Sequence, residues 1–88
     1  VKIIKTEQAV EFKCDNVYWE AVRDGRKTAE LRLLSRSEWG EVLDNPPEHL
    51  WLTDLKSGMT LFKDISWFSA VGDVVGSYFV MFCFKADA

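Results

Sequence analysis

Gly25-Arg26-Lys27-Thr28-Ala29-Glu30-Leu31-Arg32 lies where one periodicity gives way to another. Upstream, Val17, Tyr18, Ala21 and Val22 recur at i, i+1, i+4 and i+5, which predicts a helix over residues 16–24 with one apolar stripe. Asp15 or Asn16 supplies its N-cap. Gly25 stands where a glycine takes up the left-handed conformation that ends a helix. Downstream, residues 28–34 read as a strand with two faces. One face carries Ala29, Leu31 and Leu33, the other Thr28, Glu30, Arg32 and Leu34.

Outward from this junction the chain reads as short strands. Residues 1–5 look extended, and 9–14 alternate with Val10, Phe12 and Cys14 on one face. Ser35 and Glu38 fit a capping box, which predicts a turn of helix within 36–44, although Gly40 weakens it. Asn45-Pro46-Pro47 reads as a loop. Residues 50–55 and 59–64 read as paired strands about a Lys56-Ser57-Gly58 turn. A loop with Gly72 and Gly76 is expected to lead into a last strand over 77–85, apolar on both faces and therefore buried on both sides or covered outside. Several strands and an early helix predict a single small α+β domain, a half-barrel, over residues 1–88.

Composition sets limits. Eighty-eight residues allow one core, and twelve aromatics supply surface to fill it. No apolar run approaches the length of a membrane span, and Val1-Lys2-Ile3-Ile4-Lys5 is too charged for a signal peptide, so a cytoplasmic, membrane-free protein is expected. Cys14 and Cys83 lie in apolar runs and are expected as reduced thiols. Together with His49 they are too few and too scattered for a metal site, and no cofactor is implied. No P-loop, dinucleotide fingerprint or nucleophile elbow is present. Net charge is −3, but Arg23, Arg26, Lys27, Arg32 and Arg36 cluster, and Glu38, Glu41, Asp44, Glu48 and Asp54 follow without a cation between them.

The junction carries the chemistry. Glu30 and Arg32 are two apart on a strand and share a face. A carboxylate and a guanidinium there can pair and can also present donors and an acceptor to a polar ligand. Lys27 would point the other way from a regular strand. It joins them only if the strand begins after it, with Lys27 still on the loop released by Gly25. A surface ion pair beside a helix stop is the plainer alternative.

The pattern G-x-K-x-x-E-x-R after a short aromatic-containing helix resembles the signature of the ASCH family, a PUA-like group. Glu11-Phe12-Lys13-Cys14 followed by Tyr18-Trp19 resembles its DUF3850 branch. The matching positions are Gly25, Lys27, Thr28, Glu30 and Arg32, within residues 11–36. The chain departs from the pattern after the strand, where Glu41 stands in place of the usual Asp and an acidic stretch with Pro46 and Pro47 follows. The resemblance implies a small PUA-like mixed β-barrel whose cleft takes RNA or a nucleotide. On this reading Gly25, Arg26, Lys27, Thr28, Glu30, Arg32 and Arg36 form or rim the cleft, and Trp39 or Trp19 stacks on a base.

Two alternatives belong to other classes. One ASCH branch hydrolyses acylated cytidine nucleosides. Such an enzyme would use Lys27 and Glu30 here, with a later carboxylate from Asp54, Asp64 or Asp73. Lys27 would then need a lowered pKa, which Glu30 beside it opposes. The other is an interaction module of a phage or mobile element, docking a protein partner through the acidic segment 37–55 with Trp39 and Trp51.

Overall fold

Val10, Phe12 and Cys14 are all buried, so the alternation along residues 9–14 turns one face of a strand into the core. The computed structural model describes residues 2–4 and 8–86; Val1 and Lys5, the ends of the first expected strand, lie outside the described residues. The elements run β1 (Lys2–Ile4), β2 (Ala9–Cys14), α1 (Asn16–Arg23), β3 (Ala29–Ser35), α2 (Arg36–Asp44), β4 (His49–Asp54), β5 (Thr60–Val74) and β6 (Ser77–Phe84). They form one sheet in the order β1-β2-β4-β5-β6-β3. Its pairs are antiparallel except β2 with β4, which are parallel and joined through α1, β3 and α2.

The sheet is curled. In a flat sheet β2 and β6, separated by β4 and β5, would lie about 14 Å apart. Yet the rings of Phe12 and Phe82 meet at 5.4 Å. The inner face of the curl holds Leu50, Leu52, Ile65, Val80, Phe82 and Leu34 with the β2 residues, and Val42 of α2 joins them. This is a small α+β fold built on a half-barrel sheet.

The curl depends on β5. Its first half pairs with β4 and its second half with β6, with register shifts between Ile65 and Trp67 and between Ala70 and Gly72. Each shift bends the strand and increases its twist. The expected loop around Gly72 is therefore strand, and only Val75-Gly76 turns, with Gly76 at φ +77°. The shifts break the two-residue alternation, which is why the run does not read as a strand. The expected Lys56-Ser57-Gly58 turn does join β4 to β5.

Both helices form where expected, with one change of face. Trp19 and Val22 of α1 are buried, whereas Val17 and Tyr18 of the expected stripe are more than half exposed. Trp19 prevails because its ring fills the core while its Nε1 donates to the Leu52 carbonyl at 3.0 Å. α2 is a full nine-residue helix rather than a single turn. Ser35 Oγ accepts from the Glu38 N–H at 3.1 Å, and Glu38 Oε1 accepts from the Ser35 N–H at 2.8 Å.

The outer face of β6 is the second correction. Val80 and Phe82 are buried, but Phe79 is exposed on the other face, and Met81 and Cys83 there are only half-buried. Exposed Leu31, Leu33 and Trp67 stand opposite Met81, Phe79 and Cys83 in register. This face is apolar without being covered by another part of the described chain. Both cysteines are free thiols. Among the described residues, no helix is long and apolar enough to cross a membrane.

Asp54 secures one end of the half-barrel. It is 1% exposed and accepts from Asn16 Nδ2 at 2.8 Å, the Lys56 N–H at 3.0 Å and Ser57 Oγ at 2.7 Å. It thus ties the start of α1 to the β4–β5 turn. Burial pushes its carboxyl up, but the Ser57, Lys56 and Asn16 donors outweigh that and hold it below the usual value. A carboxyl depressed on folding stabilises above its unfolded pKa, about 3.9, and that contribution is lost as pH falls through the folded value. Urea unfolding between pH 7 and pH 2.5 should therefore show stability falling below about pH 4. Asp54→Asn should lower stability at pH 7 and flatten that fall.

Candidate functional site

The helix stop builds the site. Gly25 sits at φ +79°. The N–H groups of Arg26 and Lys27 both donate to the Ala21 carbonyl, at 2.9 and 3.0 Å. The chain is thereby wrapped onto the end of α1 before β3 starts at Ala29. Lys27 is consequently still on the loop, as the joining of the three residues requires. Its Nζ donates to Glu30 Oε2 at 2.9 Å. Arg32 Nη2 lies 3.3 Å from Glu30 Oε1. Glu30, 4% exposed, is thus held between two cations.

Arg32 also closes the sheet. Its Nη2 donates to the Lys13 carbonyl at 2.9 Å, linking β3 to β2, which are not neighbours in the sheet. The described β1–β2 ladder ends at Glu11, so this carbonyl lies beyond it. The guanidinium stacks over Phe12, 4.9 Å from the ring centroid, and its Nε is buried with no hydrogen-bond partner among the described residues. Lys27 Nζ lies 5.5 Å from the Tyr18 ring centroid.

These side chains border a cleft of about 510 Å³, a size suited to a small ligand. Lys27, Glu30 and Arg32 line it together with Lys13, Cys14 and Tyr18, and Leu31, Leu55 and Met81 supply apolar wall. Sequence reasoning did not assign Cys14, Lys13 and Tyr18 to the site. The signal for Cys14 and Tyr18 was present: a residue at the end of a strand and an exposed residue in the first turn of the next helix flank the same corner.

The other expected site residues fall elsewhere. Gly25 and Thr28 line a second concavity, which shares only Lys27 with the cleft. Arg26 is exposed and pairs with Asp24 at 3.3 Å. Arg36 is exposed at the start of α2. Trp39 packs against Phe68 at 6.1 Å and Tyr78 at 6.4 Å, away from the cleft. Trp51 meets Phe62 at 4.7 Å. In the acidic segment Glu38 serves the capping box and Asp54 the turn, while Glu41, Asp44 and Glu48 are exposed.

The carboxylates lining the cleft are Glu30 and Asp15, not Asp54, Asp64 or Asp73. Asp64 accepts or shares a proton with His49 Nδ1 at 2.8 Å on another part of the sheet. Among the described residues, no group of three or more His, Cys, Asp or Glu side chains is placed to hold a metal ion. Comparison with protein-family models, with curated proteins and with solved structures found no match to this chain.

Electrostatics in the cleft act on Cys14. Burial pushes its thiol up, the Glu30 charge pushes the same way, and Arg32 and Lys27 oppose them. The thiol is therefore a wall of the cleft and not an activated nucleophile. Iodoacetamide at pH 8, read by mass mapping in a Cys83→Ser background, should alkylate Cys14 at least tenfold more slowly than the urea-unfolded chain. Glu30→Gln should speed the reaction. The same substitution should cost about 2 kcal/mol of stability, since it strips charge from a buried acceptor of two cations.

Proposed function

We propose that the chain is a small nucleotide- or RNA-binding module of the ASCH, PUA-like kind, with the ligand in the cleft beside Lys27, Glu30 and Arg32. The observation that carries this reading is the convergence of those three side chains on one buried carboxylate at a cavity wall. Two cations against one carboxylate leave a local excess of positive charge in a protein of net charge −3. That favours an anionic ligand in a confined site over a long backbone track. Arg32 offers further guanidinium donors to base or sugar acceptors, and Glu30 fixes their direction. Tyr18, half-exposed at the cleft, offers a ring face on which a base stacks.

The amidohydrolase reading receives less support, because Lys27 donates to Glu30 and would have to leave it to act as a nucleophile. The docking reading is weakened by the packing of Trp39 onto Phe68 and Tyr78. An NMR titration with the four ribonucleoside monophosphates and a short RNA should give saturable amide shifts at Lys13, Cys14, Tyr18 and residues 27–32. Lys27→Met and Tyr18→Ala should each weaken binding about tenfold, or about 1.4 kcal/mol. Raising salt from 50 to 200 mM should weaken it further. Shifts confined to another face would overturn the reading.

A further inference from the structure

Residues 65–84 hold one charged side chain, Asp73. Asp73 stands opposite Tyr78, which packs on the core side of the sheet. On the outward side, Leu31 and Leu33 of β3 stand opposite Met81 and Phe79 of β6, and Trp67 and Val74 of β5 stand opposite Cys83 and Ser77. No Asp, Glu, Lys or Arg takes an outward position on β3, on β6 or on the part of β5 that pairs with β6. The other half of the sheet differs, since its outward positions include Glu11, Lys13, His49 and Asp64. Leu31, Leu33, Trp67 and Val74 are each about half exposed, and Phe79 is 36% exposed. Their open surface comes to roughly 500 Å², near the top of the range that a monomer leaves uncovered.

We propose that this face is the interface of a two-fold homodimer, covered by the same face of a second copy. Area argues for it. A standard interface takes about 800 Å² from each partner, and in homodimers about 65% of that is apolar. The open apolar surface of this face matches that share. Charge argues the same way. A face without charges gives a charged partner nothing to complement, but it complements itself, as a two-fold axis requires. A membrane surface is the poorer occupant, because the face has no Lys or Arg for anionic headgroups and the chain carries net charge −3. The curl makes the face convex, so contact runs along β6, the middle strand, and the long side chains of Leu31, Leu33 and Trp67 fill its sides. Glu30 and Arg32 point to the other side of β3, so the dimer does not depend on what the cleft binds. Leu31 and Met81 also wall the cleft, so the two clefts of the dimer open beside its interface.

The test uses the full chain. Sedimentation velocity and amide shifts are recorded from about 1 to 500 μM, where micromolar dissociation constants are read directly. The mass should rise to twice that of one chain and stop there. Amide shifts on dilution should fall on residues 29–35, 67–74 and 77–83. Leu33→Glu and Trp67→Glu change exposed positions, and each is checked for native amide dispersion. Each should weaken association about tenfold or more, because a charge is then buried unpaired in the interface. A mass that stays at one chain throughout would overturn the proposal, as would a monomer that instead binds phosphatidylcholine vesicles through these residues. Growth past the dimer without limit would overturn the two-fold closure. A dimer that survives both variants, with dilution shifts elsewhere, would overturn the face.

Discussion

Glu30 takes a carboxylate to 4% exposure on a strand whose next inward neighbours are Arg32 and Leu34. Burying that charge is costly, and only close cations with good geometry offset the cost. Lys27 and Arg32 supply them from the two sides of the strand's start. The ion triad in turn places Arg32 against the Lys13 carbonyl and the Phe12 ring. That contact spans the gap between β3 and β2, where no backbone ladder runs. The half-barrel is thus closed along one seam by side chains, and the cleft lies at that seam.

This seam decides which face of β3 turns inward. Hydrophobicity alone favours burying Ala29, Leu31 and Leu33, which would put Glu30 and Arg32 in water. The chain does the reverse, because Leu34 fills the core end of the strand while the ion triad fills the cleft end. The consequence is an exposed apolar face on the opposite side, where Leu31 and Leu33 stand beside Met81 and Phe79. Leu31 and Met81 also reach the cleft wall. One choice of register therefore sets both the polar centre of the site and its apolar border.

What could be read from the sequence was local and punctuated. Gly25 marks a forced left-handed turn, Ser35 and Glu38 mark a reciprocal cap, and Lys56-Ser57-Gly58 marks a hairpin, because each device is contained within a few residues. The junction of Lys27 with Glu30 and Arg32 was legible for the same reason: it depends on where one strand begins. The inward face of α1 was legible only in part: Val22 of the expected stripe is buried, but Val17 and Tyr18 turn outward, and Trp19, whose Nε1 donates to the Leu52 carbonyl, turns inward. The length of β5 was not legible, because its two register shifts erase the alternation by which strands are recognised. The apolar wall from Leu55 and Met81 arises from segments far from the junction in sequence that only the curl of the sheet brings to the cleft.

On the proposed reading the same side chains would carry both structure and ligand contacts, and this would limit how tightly the cleft binds. A ligand that takes a donor from Lys27 or Arg32 competes with Glu30, which would be left buried and underpaired. Ligand acceptors must then be added to the triad and not exchanged for Glu30. Lys27 retains donors beyond the one given to Glu30, since an ammonium group has three. On the proposed reading the cleft is therefore suited to a ligand that adds acceptors to the triad without displacing Glu30.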